Sequence, residues 1–327
     1  MRAMSKHLSR AIAGDVEPLH QGRVATRRLR EILPLCACEV SRGLANRTRR
    51  RARRVGRALG DVREIDVSIG VVEALIQGGA VNEAAGHRLN RSLLDEREAR
   101  RERMLDRLSS INHTKLERDL ADVARQLGMR QQTDAWAQTL ALRIDRRSES
   151  VQQAVGEAGA LYISDRVHRV RIATKKLRYT LELAADTGEA QTRSFVRQLR
   201  GVQQVLGRLH DLEVLGGMIQ DLTIPVSDAG DGGPVALVRP IRPIRDELEA
   251  LRQTLASECL ELHSRYIGKR ETLLEVCRDT VALAARVWTE RGGELSRIAP
   301  GVSTGRVLRM TIPVPAPATR KVVSGDS

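Results

Sequence analysis

Apolar residues recur along this chain at intervals of three and four, with charged residues filling the positions between them. That period belongs to amphipathic helices, whereas the strict alternation of half-buried strands is scarce. The spacing predicts helices over residues 5–13, 19–40, 43–75, 83–108, 116–127, 135–158, 166–185, 192–222, 242–267 and 270–291. Pro18 stands at the start of the second of these, where proline is tolerated, and Pro34 inside it predicts a kink. Gly78–Gly79 marks a turn, and Ser164 and Asp165 are cap residues. Residues 225–234 (PVSDAGDGGP) read as a loop. From Ala299 onward Pro, Val, Ser and Thr follow no period, which predicts a disordered tail over 299–327.

Composition agrees with an all-α fold, because Arg, Leu and Ala are the commonest residues and all are good helix formers. With one Phe, two Trp and three Tyr among 327 residues, the core has to be aliphatic. No apolar run approaches the roughly 18–20 residues of a spanning helix, so membrane insertion is not expected. The opening MRAMSKHLSR lacks the apolar middle of a signal peptide. Cys36, Cys38, Cys259 and Cys277 form no CxxC pair and read as small buried hydrophobes in a reducing cytosol. A cytoplasmic protein without zinc or other cofactor is expected.

Charge narrows the partner. The formal net charge is +14 and the isoelectric point lies near 10.6. Such a surface favours nucleic acid, an anionic membrane surface or a phosphate polymer.

Two segments repeat. Residues 19–33 read LHQGRVATRRLREIL and residues 167–181 read VHRVRIATKKLRYTL, an offset of 148. Residues 58–67, ALGDVREIDV, recur as VLGRLHDLEV at 205–214, an offset of 147. Two segments repeated in the same order indicate a duplicated helical unit. On a helical wheel of about 100° per residue, His20, Arg23, Arg27 and Arg30 form one stripe, while Leu29, Ile32, Leu33 and Cys36 face inward. In the second copy His168, Arg171, Lys175 and Arg178 form the stripe, with Leu177 and Leu181 inward. Arg28 and Lys176 flank the stripes. Arg50, Arg53, Arg54 and Arg57 make a further basic row, as do Arg193, Arg197 and Arg200.

These rows have few acidic residues four positions away, unlike DEREARRERMLDR at 95–107, where mixed charge suits a solvated face. Like charges held on one face repel, which implies a ligand that offsets the repulsion. Arginine suits phosphate through its forked donors. Crowding by arginines should lower the pKa of His20 and His168. Neighbouring cations also argue against a metal there. Glu64, Asp66, Asp211 and Glu213 repeat as well, and are expected to pair with stripe arginines and hold their rotamers.

HQGRVATRRLR and VHRVRIATKKLRY, with ALGDVREIDV and VLGRLHDLEV, resemble the signature helices of the CHAD family, the histidine-containing α-helical domains. The resemblance covers about 5–295, as a stand-alone member. It implies a helical bundle of two pseudo-twofold-related, four-helix-like halves, about 5–155 and 156–295. It also implies non-enzymatic binding of inorganic polyphosphate in a basic central groove or pore, and location on polyphosphate granules. Carried onto this sequence, the contacts are His20, Arg23, Arg27, Arg28 and Arg30, then His168, Arg171, Lys175, Lys176, Arg178 and Tyr179. Arg50, Arg54, Arg57, Arg197 and Arg200 are second-tier candidates. Two departures stand out: Glu31 occupies the position of Tyr179, and Glu64 stands where the family usually has Asp. Nucleic-acid binding is the alternative reading, and a metal-assisted phosphohydrolase a third.

Overall fold

The computed structural model describes residues 15–129, 135–186, 191–223 and 242–298, and these are helical with no strand. The expected helix at 5–13, the loop at 225–234 and the tail from 299 lie outside the described residues. The helices are α1 Val16–Cys36, α2 Arg42–Ala58, α3 Gly60–Gln77, α4 Glu83–Ser109, α5 His113–Met129, α6 Ala135–Ala158, α7 Ser164–Asp186, α8 Thr192–Thr223, α9 Arg242–Ile267 and α10 Arg270–Ile298.

Three expectations need correction. Pro34 sits in the last turn of α1, which ends at Cys36 rather than continuing to Val40. Proline has no N–H to give the preceding turn, and termination soon after it removes the conflict. The single helix expected over 43–75 is broken at Leu59, whose own N–H still reaches Val55 O. Arg23 from α1 donates to the carbonyl oxygens of Leu59 and Gly60 at this junction, at 3.5 and 2.5 Å. A guanidinium thereby holds backbone acceptors that a helix end leaves unpaired. The equivalent stretch of α8 runs unbroken. Lastly, Cys38 lies beyond the end of α1 and is exposed, while Cys36, Cys259 and Cys277 are buried.

Helix contacts follow the repeat. Within the halves α1 packs on α2 as α7 does on α8, α3 on α4 as α8 on α9, and α2 on α5 as α8 on α10. Between them α1 meets α7, α3 meets α8 and α4 meets α9, so helices in matching places pair with each other. This pattern is consistent with two related halves. α6 packs on α7 and α10 and also touches α1.

The main core runs from α3 and α4 through α6–α10 and is aliphatic, with Tyr266 the largest buried ring. A smaller cluster around Leu19, Leu59, Met104 and Leu116 joins α1–α5. Asp119 clamps α5 to α2 by accepting from Arg47 at 3.2 Å and from Arg51. Gly86 lets α4 close on the end of α3: a Cβ there would stand 2.5 Å from Ile76 Cγ1 and 3.1 Å from Val81 Cγ1. Gly86→Ala should therefore cost about 1–2 kcal/mol by overpacking. Urea unfolding measures it, and an unchanged midpoint would show that α4 has room to move.

Candidate anion-binding groove

The two stripe helices face each other across the α1–α7 contact, and their cations converge. Lys175 stands at the meeting point. Burial, followed by repulsion from Arg171, Arg23, Arg27 and Arg178, pushes its ammonium down to about 8. Two of those arginines come from α1 and two from α7. Burial likewise lowers the pKa of Arg23, reinforced by Arg63. Arg171 is also lowered by burial, against an opposing pull from Asp211.

Tyr179 links the halves directly. Arg27 Nη1 donates to its hydroxyl at 3.0 Å, and the Arg27 guanidinium carbon lies 4.0 Å from the ring centroid. Arg178 approaches the same ring at 4.8 Å and pairs with Glu182 at 2.5 Å. Cation–π contact with a partly buried ring keeps these guanidinium groups in place.

The histidines flank the cations. His20 is lowered by burial first and then by Arg63, as crowding predicts. His168 packs on His210, ring centroids 4.7 Å apart. His210 is pushed down to about 4 by burial, then by Arg171, His168 and Lys175. Arg63 and His210 occupy the same position of the second repeated segment, 147 residues apart. Each lies beside the histidine of its own half, which places both in the groove. Neither was among the sequence-derived candidates, although laying one repeat over the other would have raised both.

The remaining candidates divide. Arg30 is exposed and electrostatically coupled to Glu31, Arg53, Arg49 and Arg57, on the α2 side. Arg28 lines a small crevice with Glu31, Glu182 and Asp186, among carboxylates. Arg54 and Arg57 line a cleft beside α2, and Arg200 pairs with Glu182 at 3.3 Å. Arg50, Lys176 and Arg197 are exposed and make no ion pair among the described residues.

The repeated acids do not pair with the stripes as expected. Asp66 binds Arg97 at 2.7 Å and Glu64 binds Arg100 at 3.2 Å, both from α4. Glu213 accepts from the Tyr162 hydroxyl at 2.6 Å. Asp211 faces the groove cations, its carboxyl raised by burial against the pull of Arg171 and Lys175, and Glu64 and Glu213 also act on Arg171 from farther off. For Asp66 and Glu64 the highly charged α4 supplies closer arginines. Among the described residues no group of three or more His, Cys, Asp or Glu side chains could hold a metal ion.

Glu31 also has a use that its sequence did not disclose. It is buried, and takes Arg143 at 2.6 Å and Arg147 at 2.8 Å, both from α6. Arg147 donates in addition to Lys176 O at 2.5 Å and to Thr180 Oγ1 on α7. The stripe face of α1 therefore carries a buried carboxylate, and Ile32, expected inward, is 39% exposed.

No helix among the described residues is long and apolar enough to cross a membrane. No curated protein matches the chain. The crystal structure of the CHAD domain from the plant Ricinus communis is similar, with a TM-score of 0.55 and 22% identity over 83% of this chain and 87% of that one. At that identity the likeness speaks for the fold. The family model for the CHAD domain matches residues 1–220, well over half the sequence, and spans both stripe helices; the chain belongs to the CHAD domain family.

Proposed function

We propose that this protein binds inorganic polyphosphate in the groove between α1 and α7 and catalyses no reaction on it. The observation that carries this reading is Lys175, surrounded by Arg171, Arg23, Arg27 and Arg178 from both helices. A partly buried cluster of one sign is costly in the free protein and is offset by a ligand of dense, regularly spaced negative charge. A linear phosphate polymer is such a ligand. Binding of this kind would bring the protein to polyphosphate granules.

Single-stranded nucleic acid is less well served. Its binders stack bases on aromatic rings, and Tyr179 is already engaged by Arg27 and Arg178. Phosphoryl transfer commonly uses carboxylates that position a metal ion, whereas Glu64, Asp66 and Glu213 are engaged by Arg100, Arg97 and Tyr162. Phosphate release from polyphosphate in the presence of Mg²⁺ would overturn the non-enzymatic reading.

Long-chain polyphosphate should outcompete single-stranded DNA of equal charge at moderate salt; equal or tighter DNA binding defeats the proposal. Arg27→Ala combined with Lys175→Ala should weaken polyphosphate binding by about 1 kcal/mol per lost contact and flatten its salt dependence. Helicity by circular dichroism should not change. A double variant that binds as the wild type does would place the site elsewhere.

A further inference from the structure

Beside α2 and α4 lies an open cleft of about 730 Å³, lined by Arg23, Arg54, Arg57, Arg107, Asp61 and Ser110. Four of these six are arginines and one is an acid. That acid, Asp61, is taken by Arg107 at 2.5 Å. Among the described residues Arg54 reaches only the Ser110 carbonyl and hydroxyl, both at 3.4 Å, beyond the usual range of a good hydrogen bond. The Arg57 side chain is exposed and makes no ion pair among the described residues. Two guanidinium groups one turn apart on α2 thus keep donors for an incoming anion. Gly56 and Gly60 form part of the lining, so backbone stays open to the cleft.

The cleft is joined to the groove by Arg23, which lines it and also repels Lys175 within the central cluster. Arg23 is held there by its bond to Gly60 O, at the break between α2 and α3. The second half lacks this break, and Gly201 and Gln204 stand where Arg54 and Arg57 would.

Resting on the reading of the groove as a polyphosphate site, we propose that this cleft is a second phosphate-binding site. It takes the continuation of a long polyphosphate chain that passes Arg23, so the polymer extends over the first half only. A ligand as short as tripolyphosphate fits in the central cluster and does not need the cleft.

Isothermal titration with long-chain polyphosphate and with tripolyphosphate tests this on the full chain. Arg54→Ala with Arg57→Ala should weaken the long chain about tenfold, the loss of two charge-assisted contacts, and leave tripolyphosphate within about twofold. Arg252→Ala with Arg278→Ala removes the same charge from exposed ion pairs on α9 and α10 and should leave both ligands unaffected. Unchanged long-chain affinity in the α2 variant overturns the proposal. So does an equal loss for tripolyphosphate, or an equal loss in the charge-matched control. If the wild type binds neither ligand, the groove reading itself fails, and that result is distinct from a length-specific one.

Discussion

Lys175→Met yields a protein that unfolds at higher urea concentration than the wild type yet holds polyphosphate less tightly. The first effect follows from linkage. In the folded chain Lys175 titrates at about 8, below the 10.5 of an ordinary lysine. Between those values the unfolded state binds the extra proton, so stability rises with pH across the window from about 8 to about 10.5. Below pH 8 both states are protonated and the full cost of burying the cation among four arginines is present. At about 1.36 kcal/mol per unit the cost is of order 3 kcal/mol, and methionine fills the space without it. The second effect has the opposite sign, because bound phosphate favours the charged lysine. Wild-type affinity should therefore fall as pH rises through 8, with proton uptake on binding near that pH. In the methionine variant affinity should be flat over the same range. A variant no more stable than wild type, with undiminished affinity, would mean that Lys175 does not sit in a repulsive cluster.

Glu31→Ala costs about 3–5 kcal/mol, the range for removing one partner of a buried ion pair. The side chains of Arg143, Arg147 and Glu31 are 17%, 15% and 12% exposed, so little water replaces the lost carboxylate. Arg143 is already lowered to about 10 by burial and by Arg147, and Arg49 adds to the repulsion. Glu31→Met with Arg143→Met should recover most of the loss, since Arg147 keeps Lys176 O and Thr180 as acceptors. Equilibrium unfolding of the two variants decides the matter. A single variant within about 0.5 kcal/mol of wild type, the usual surface effect, would show that the triad is not structural.

Glu31 also marks the limit of what periodicity can tell. In the sequence it stands only as a departure from Tyr179 of the other repeat, and nothing within α1 announces the arginines of α6 that bury it. Asp66 and Glu64 are similar cases, since the stretch DEREARRERMLDR supplies Arg97 and Arg100 as their partners. A charged face that looked wholly solvated therefore carries three ion pairs to α3, the third from Arg107 to Asp61. His210 and Arg63, by contrast, were legible in principle, because their equivalence is written in the repeat. The break at Leu59 was not, as no Gly–Pro signal lies there and the partner of its carbonyls, Arg23, is 36 residues away.

What the amino-acid order determined alone is whatever depends on neighbours within a turn or two. That covers the helical class, the duplicated stripe-bearing segments and the aliphatic core, because a 3.6-residue period is a local property. Tertiary structure alone decided that the stripes of α1 and α7 face each other and that Lys175 is held near 8. Those outcomes depend on Coulomb fields and packing between residues more than a hundred positions apart, such as Arg27 and Tyr179, and no local period encodes such distances.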